Sequence, residues 1–181
     1  RRQRQMCIRD SSVTDALYTA SIPVFQHMLQ ALSKVLHKAE AHASARKIEP
    51  SALLQARLYP DMLPMLAQVT IACDFAKGAG ARLAGVAVPV MQDTEQTFAE
   101  LQARIQKVQD FLATLSATQF DQPHSRQITI QPGTPRERSF DASTYLLHYA
   151  LPQFFFHVTT AYALLRHNGV EIGKKDYMGT A

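Results

Sequence analysis

His157 lies in the stretch FFFHVTTAYALLRHNGV, residues 154–170, a largely apolar run whose helical spacing turns the imidazole toward the protein interior. An imidazole inside a helical bundle is either a metal ligand or catalytic base, or a core residue whose hydrogen bonds are satisfied. Gln153 is four residues earlier and shares its face. His148 lies about half a turn out of phase on a straight helix, and Tyr162 roughly 140° around, so both reach His157 only if the helix bends. On a second helical stretch, Asp61 and Gln68 stack on one face and Asp74 and Lys77 form an i,i+3 pair on another. That pair reads as a solvated ion pair, Asp61 as a carboxylate serving a helix start, and Gln68 as an amide in need of a buried partner. The candidate site is thus His157 as catalytic group or metal ligand, with Gln68, Gln153, His148, Asp74 and Tyr162 as pocket residues.

The elements that must position these groups are helices. Ile22, Phe25, Leu29, Leu32, Leu36 and Ala39 recur at three- and four-residue steps, predicting a helix from about Ser21 to Arg46, with Ser21 as cap and Pro23 in the first turn. Its histidines His27, His37 and His42 fall mostly off that stripe and read as solvated. A connector over 47–60 holds a short turn from Pro50 to Ala56. A second long helix is predicted from about Asp61 to Ala84, stopped by Gly85, with Met62, Met65, Val69, Ala72, Ala76 and Leu83 facing inward. A third starts near Asp93 or Thr94 and continues to about Leu115. Two short alternating segments around Pro132-Gly133 predict a β-hairpin over one end of the bundle. The last helix is capped by Asp141 and stopped by Gly169, and Pro152 within it predicts a kink or a break.

At 181 residues the chain fits one domain with a sizeable core, expected over residues 15–178. Residues 1–12, RRQRQMCIRDSS, lack both helical periodicity and the apolar segment of a secretory signal, and resemble translated library-adapter sequence. Residues 1–14 are therefore expected to be a tail outside the fold. Four Arg against one Asp in residues 1–12 supply three of the net +4, so the remaining chain carries only +1. This argues against a nucleic-acid partner. No apolar run approaches the length that spans a bilayer. Cys73 falls in an alanine-rich helical run as a small buried hydrophobe, there is no CxxC pair, and a reducing cytoplasm is the expected compartment. HExxH, the ExxH pairs of di-iron bundles, GxSxG and a phosphate-cradling glycine loop are all missing from a sequence with seven glycines.

Three blocks carry a resemblance: ASIPVF, KAEAHASARKIEPSALLQARLYPDMLPMLAQVTIACDFAKGAGARLAG, and YLLHYALPQFFFHVTTAYALLRHNGVEIGKKDY. Together they resemble a bacterial domain-of-unknown-function family within the DinB/YfiT-like superfamily of proposed metalloenzymes, from about Ala16 to Tyr177. The resemblance implies an all-α fold, a DinB/YfiT-like four-helix bundle with a small β-hairpin before the last helix. It also implies a divalent metal such as zinc or nickel held by three histidines, one on the second helix and two on the last, which in some relatives activates a low-molecular-weight thiol. His157, followed by Leu165, Arg166 and Gly169, is similar to the superfamily's closing pattern. Gln153 stands where the partner histidine would be, however, and the second helix offers Gln68 or Asp74 instead of a histidine. Amides are weak ligands, so an incomplete metal site is expected.

Two functions follow from these readings. In one, a pocket between the second and last helices binds a small molecule, with His157 as ligand or general base acting as a metal-dependent hydrolase or thiol transferase would. In the other, the same groups form a buried hydrogen-bond network in a non-catalytic bundle that serves as a homodimer or scaffold.

Overall fold

The structure, a computed structural model, describes residues 16–121 and 126–179; the amino-terminal tail expectation falls outside these residues. Four long helices pack as a bundle. Helix α1, Ile22–Arg46, buries Ile22, Phe25, Leu29, Leu32, Leu36 and Ala39, the stripe set by its periodicity. Ser21 occupies its N-cap position, but the hydroxyl donates backward to the Leu17 carbonyl at 2.6 Å and does not cap the helix. After the short α2, Pro50–Leu54, comes α3, Met65–Ala84. It starts later than the expected Asp61 because Pro64 is extended (φ −69°, ψ 164°), as residues around prolines favour. Asp61 is exposed ahead of the helix. Gly85 ends α3 with φ +74°, a left-handed conformation that costs glycine nothing, while the Val86 N–H closes the end onto the Ala81 carbonyl at 2.9 Å.

Helix α4, Phe98–Ala113, begins at Thr97 and not at Asp93 or Thr94. The reason is a reciprocal cap: the Glu100 N–H donates to Thr97 Oγ1 at 3.2 Å and the Thr97 N–H to Glu100 Oε2 at 2.9 Å. The hairpin forms as the alternation predicted, with β1, Ile128–Ile130, antiparallel to β2, Arg138–Phe140, and Thr129 opposite Ser139. Asp141 then caps the last helical unit, accepting from the Thr144 N–H at 2.9 Å and from its hydroxyl at 2.6 Å. Those bonds hold the Asp141 carboxyl below its usual range.

The last unit runs through one α-turn, Ala142–Thr144, a π-helical segment, Tyr145–Ala150, and α5, Leu151–His167. Pro152 does not break it. The backbone stays helical at Ala150 (φ −69°, ψ −50°) and Leu151 (φ −63°, ψ −47°), and the helix meets the proline by widening its winding one turn ahead. Gly169 follows with φ +88°, and α6, Lys174–Met178, folds back on α1 through an ion pair of Asp176 with Lys38 at 2.5 Å. His27, expected to be solvated, bonds through Nε2 to the Met178 carbonyl at 2.6 Å. Among the described residues, no helix is long and apolar enough to cross a membrane.

Inside, Phe25 of α1 meets Phe154 of α5 edge-on at 4.9 Å. Helices α3 and α5 make the most extensive helix pairing, and it is their seam that carries the polar groups.

Candidate functional site

The seam starts from one amide. Gln68 Nε2 donates to the Leu63 carbonyl at 3.1 Å, and Gln68 Oε1 lies 2.7 Å from His157 Nδ1. Because the amide's donor side is engaged by a carbonyl, its oxygen must face the imidazole, so the imidazole must donate: His157 is protonated on Nδ1 and keeps a lone pair on Nε2. Both residues are buried, at 2% and 8% exposure. Burial of the ring pushes the His157 pKa below the usual imidazole value of 6.5, which keeps it neutral at pH 7.

From that bond the seam runs toward the hairpin along two facing stripes. On α3, Gln68, Phe75 and Arg82 recur every seven residues; across from them, in reverse order, stand His157, Tyr149 and Tyr145. Phe75 stacks on His157 (centroids 5.8 Å apart, planes at 16°) and meets Tyr149 edge-on at 6.0 Å. Tyr149 stacks on Tyr145 at 5.9 Å and packs on Phe140 of β2 at 5.5 Å. At the far end, Arg82 Nη1 donates to Tyr145 Oη at 3.4 Å. This aromatic ladder is what sequence spacing could not show, because the π-helical segment shifts the phase of Tyr145 and Tyr149 against α5.

Two cavities open on the seam under the hairpin. The inner, about 170 Å³, is lined by Asp74, Phe75, Arg82 and Tyr145. The outer, about 290 Å³, is lined by Gln153 and the hairpin residues Arg136, Glu137 and Arg138. Both share Ile130, Gln131 and Tyr149, so they form one groove. His157 lines neither cavity; Phe75 stands between it and the inner one.

Asp74 belongs to a larger assembly than the solvated pair expected of it. It bonds Lys77 at 2.7 Å and Arg104 at 3.0 Å, and those two cations are nearly buried, their side chains 7% and 1% exposed. Arg104, on α4, also reaches Glu95 at 3.0 Å, Asp93 at 2.8 Å and the Gln92 carbonyl at 3.1 Å. Burial alone would lower the Arg104 pKa, but the Glu95 hydrogen bond and the carboxylate charges raise it overall. This guanidinium ties the connector after α3 to both α3 and α4. No local spacing signals it, since Arg104 lies thirty residues from Asp74 on another helix.

The remaining predicted residues do not converge on His157. His148 is exposed, and Tyr162 packs edge-on against Tyr177 of α6 at 5.6 Å. Gln153 shares the groove with Tyr149 but makes no hydrogen bond with His157 among the described residues. Cys73 is fully buried, and its thiol is pushed up to about 12, chiefly by burial. The three-histidine metal set does not fit these residues. One nitrogen of His157 is engaged by Gln68, residue 153 is an amide, and among the described residues no three His, Cys, Asp or Glu side chains are grouped to hold a metal ion.

With this geometry in hand, comparison with known proteins is specific. Residues 17–178 match the model of a domain of unknown function, DUF1993. The chain is also similar to the crystal structure of a DinB family member protein from Shewanella denitrificans, with 38% identity, a TM-score of 0.88, and 94% of this chain and 96% of that chain covered. No curated protein matches the chain.

Proposed function

The chain belongs to the DUF1993 family, and we propose that it is a small-molecule-binding bundle whose ligand sits in the groove between α3, the last helical unit and the hairpin. The observation that carries this reading is the pair of cavities joined through Ile130, Gln131 and Tyr149 and lined by polar groups on an aromatic floor. Clefts between facing helices are where bundles hold ligands, and the charged and amide side chains of this one suit a polar ligand with a planar face. In this reading His157 works behind the groove. Its bond to Gln68 fixes the register of α3 against α5 and backs Phe75, the ring that faces the ligand.

The test is a set of aromatic fragments, acids, amides and amines, titrated into isotope-labelled protein. Hits should perturb the backbone amides of Ile130, Gln131, Tyr149 and Gln153, and Tyr149→Ala should abolish the effect. A set that leaves those amides unmoved refutes the reading.

A second reading, His157 as a general base, is favoured by one observation: Nε2 has no partner among the described residues, so a neutral imidazole retains an open acceptor. It predicts that a bound substrate alters the His157 Nε2 resonance directly. The first reading predicts that ligands in the groove leave that nitrogen unprotonated and close to its free value.

A further inference from the structure

Of the described cations that line the groove, Arg82 is half-buried while Arg136 and Arg138 are exposed. Lys77 and Arg104 are each paired with carboxylates, whereas the guanidinium of Arg82, half-buried in the inner cavity, has no carboxylate within ion-pair distance among the described residues. Its one side-chain hydrogen bond is the long one to Tyr145 Oη at 3.4 Å. The two carboxylates that share the groove are engaged elsewhere: Asp74 with Lys77 and Arg104, and Glu137 with the Gly133 N–H at 2.5 Å. Arg136 and Arg138 add two exposed cations at the outer cavity. A half-buried guanidinium keeps most of its five donors for a partner, and the partner it matches is a planar or tetrahedral oxyanion.

The sequence also makes room for this arginine. A Cβ built on Gly78 would stand 2.5 Å from Arg82 Nη1, so the guanidinium folds back over the helix where only glycine leaves space. Gln131, which lines both cavities, holds φ at 49° in the turn after β1, where its carbonyl accepts from the Thr134 N–H at 3.3 Å and the Thr134 hydroxyl at 2.9 Å.

We infer that the groove takes a small aromatic or otherwise planar molecule bearing a carboxylate, with the anion on Arg82 and the ring against Tyr149 and Phe75. This rests on the groove being a binding site, and a matched pair of probes separates the two claims. Benzoate and benzamide have the same shape and differ in charge. Titrated into the full chain and followed at the Gln131, Tyr145 and Tyr149 amides, benzoate should bind about five- to tenfold more tightly, since a charge-assisted hydrogen bond is roughly twice as strong as a neutral one. Gly78→Ala keeps the arginine and favours the helix while displacing the guanidinium, so the preference should fall below about twofold with the fold intact. Arg82→Gln should do the same. Benzamide binding in the groove as well as benzoate overturns the anion assignment and leaves the binding site standing. Binding by neither overturns both, and an undiminished benzoate preference in Gly78→Ala, with Arg82→Gln agreeing, moves the anion to a different cation.

Discussion

Replacing Gln68 by methionine removes the acceptor that faces His157 and leaves a buried Nδ1–H, as well as the Leu63 carbonyl, without that partner. A buried polar group stripped of its bond costs about 1–3 kcal/mol, and both residues here are more than nine-tenths buried, so solvent cannot compensate. His157→Phe fills the space and can still stack on Phe75, but leaves Gln68 Oε1 unpaired at a similar cost. With both changes together neither the Nδ1–H nor Oε1 remains to be left unpaired, and only the carbonyl of the exposed Leu63, which water can reach, loses its donor, so the double variant should come within about 1 kcal/mol of the parent. The coupling energy of the cycle is then at least about 1 kcal/mol, against the 0.3–0.5 kcal/mol within which independent sites add. Urea unfolding followed by circular dichroism at pH 8, where the imidazole is neutral in both folded and unfolded chains, measures all four corners. Strict additivity would refute the buried bond and, with it, the tautomer deduced for His157.

Three further expectations follow. Because His157 has a lowered pKa when folded, the unfolded chain binds the extra proton first as pH falls below about 6.5, so stability should decline from there down to the folded pKa; His157→Phe should lack that acid step, and an identical pH profile would contradict it. Arg104→Met leaves Glu95 and Asp74 without their shared cation and should cost about 2–3 kcal/mol, below the usual 3–5 because Asp74 is 39% exposed. Hydrogen exchange should accelerate in residues 86–96, and Arg104→Lys, which lacks the fork, should not rescue it. Cys73, fully buried with its thiol near 12, should resist Ellman's reagent in the native state of a Cys7→Ser background and react on unfolding; native reactivity would mean that α3 opens locally.

What could be read from the sequence was whatever depends on neighbours along the chain. The α1 stripe, the Gly85 and Gly169 stops, the Asp141 cap and the hairpin around Pro132-Gly133 are all set by residues within a few positions of one another. Helix starts failed where two local signals compete: Pro64 overrides Asp61, and the Thr97–Glu100 box overrides Thr94. At the site, the pairing of Gln68 with His157 was foreshadowed by a lone amide and a lone imidazole on apolar faces. For Asp74 the spacing signals only the Lys77 pair, because its second cation, Arg104, comes from a different helix, and nothing marks Arg82, since a lone arginine at a helix end has no pattern. Pro152 predicts a kink or a break; the backbone stays helical through it, and the π-helical turn ahead of it also aligns Tyr145 and Tyr149 with the groove.

The central claim is that His157 is a neutral, Nδ1-protonated imidazole held by Gln68 behind Phe75, a register pin beside a ligand groove. Long-range ¹H–¹⁵N correlation of its ring at pH 7 tests this most directly, recorded alone, with benzoate and with zinc. The account predicts a pyrrole-type Nδ1 and a pyridine-type Nε2 in all three. An Nε2-protonated ring, an imidazolium, or a ring whose Nε2 shifts on adding zinc would contradict it.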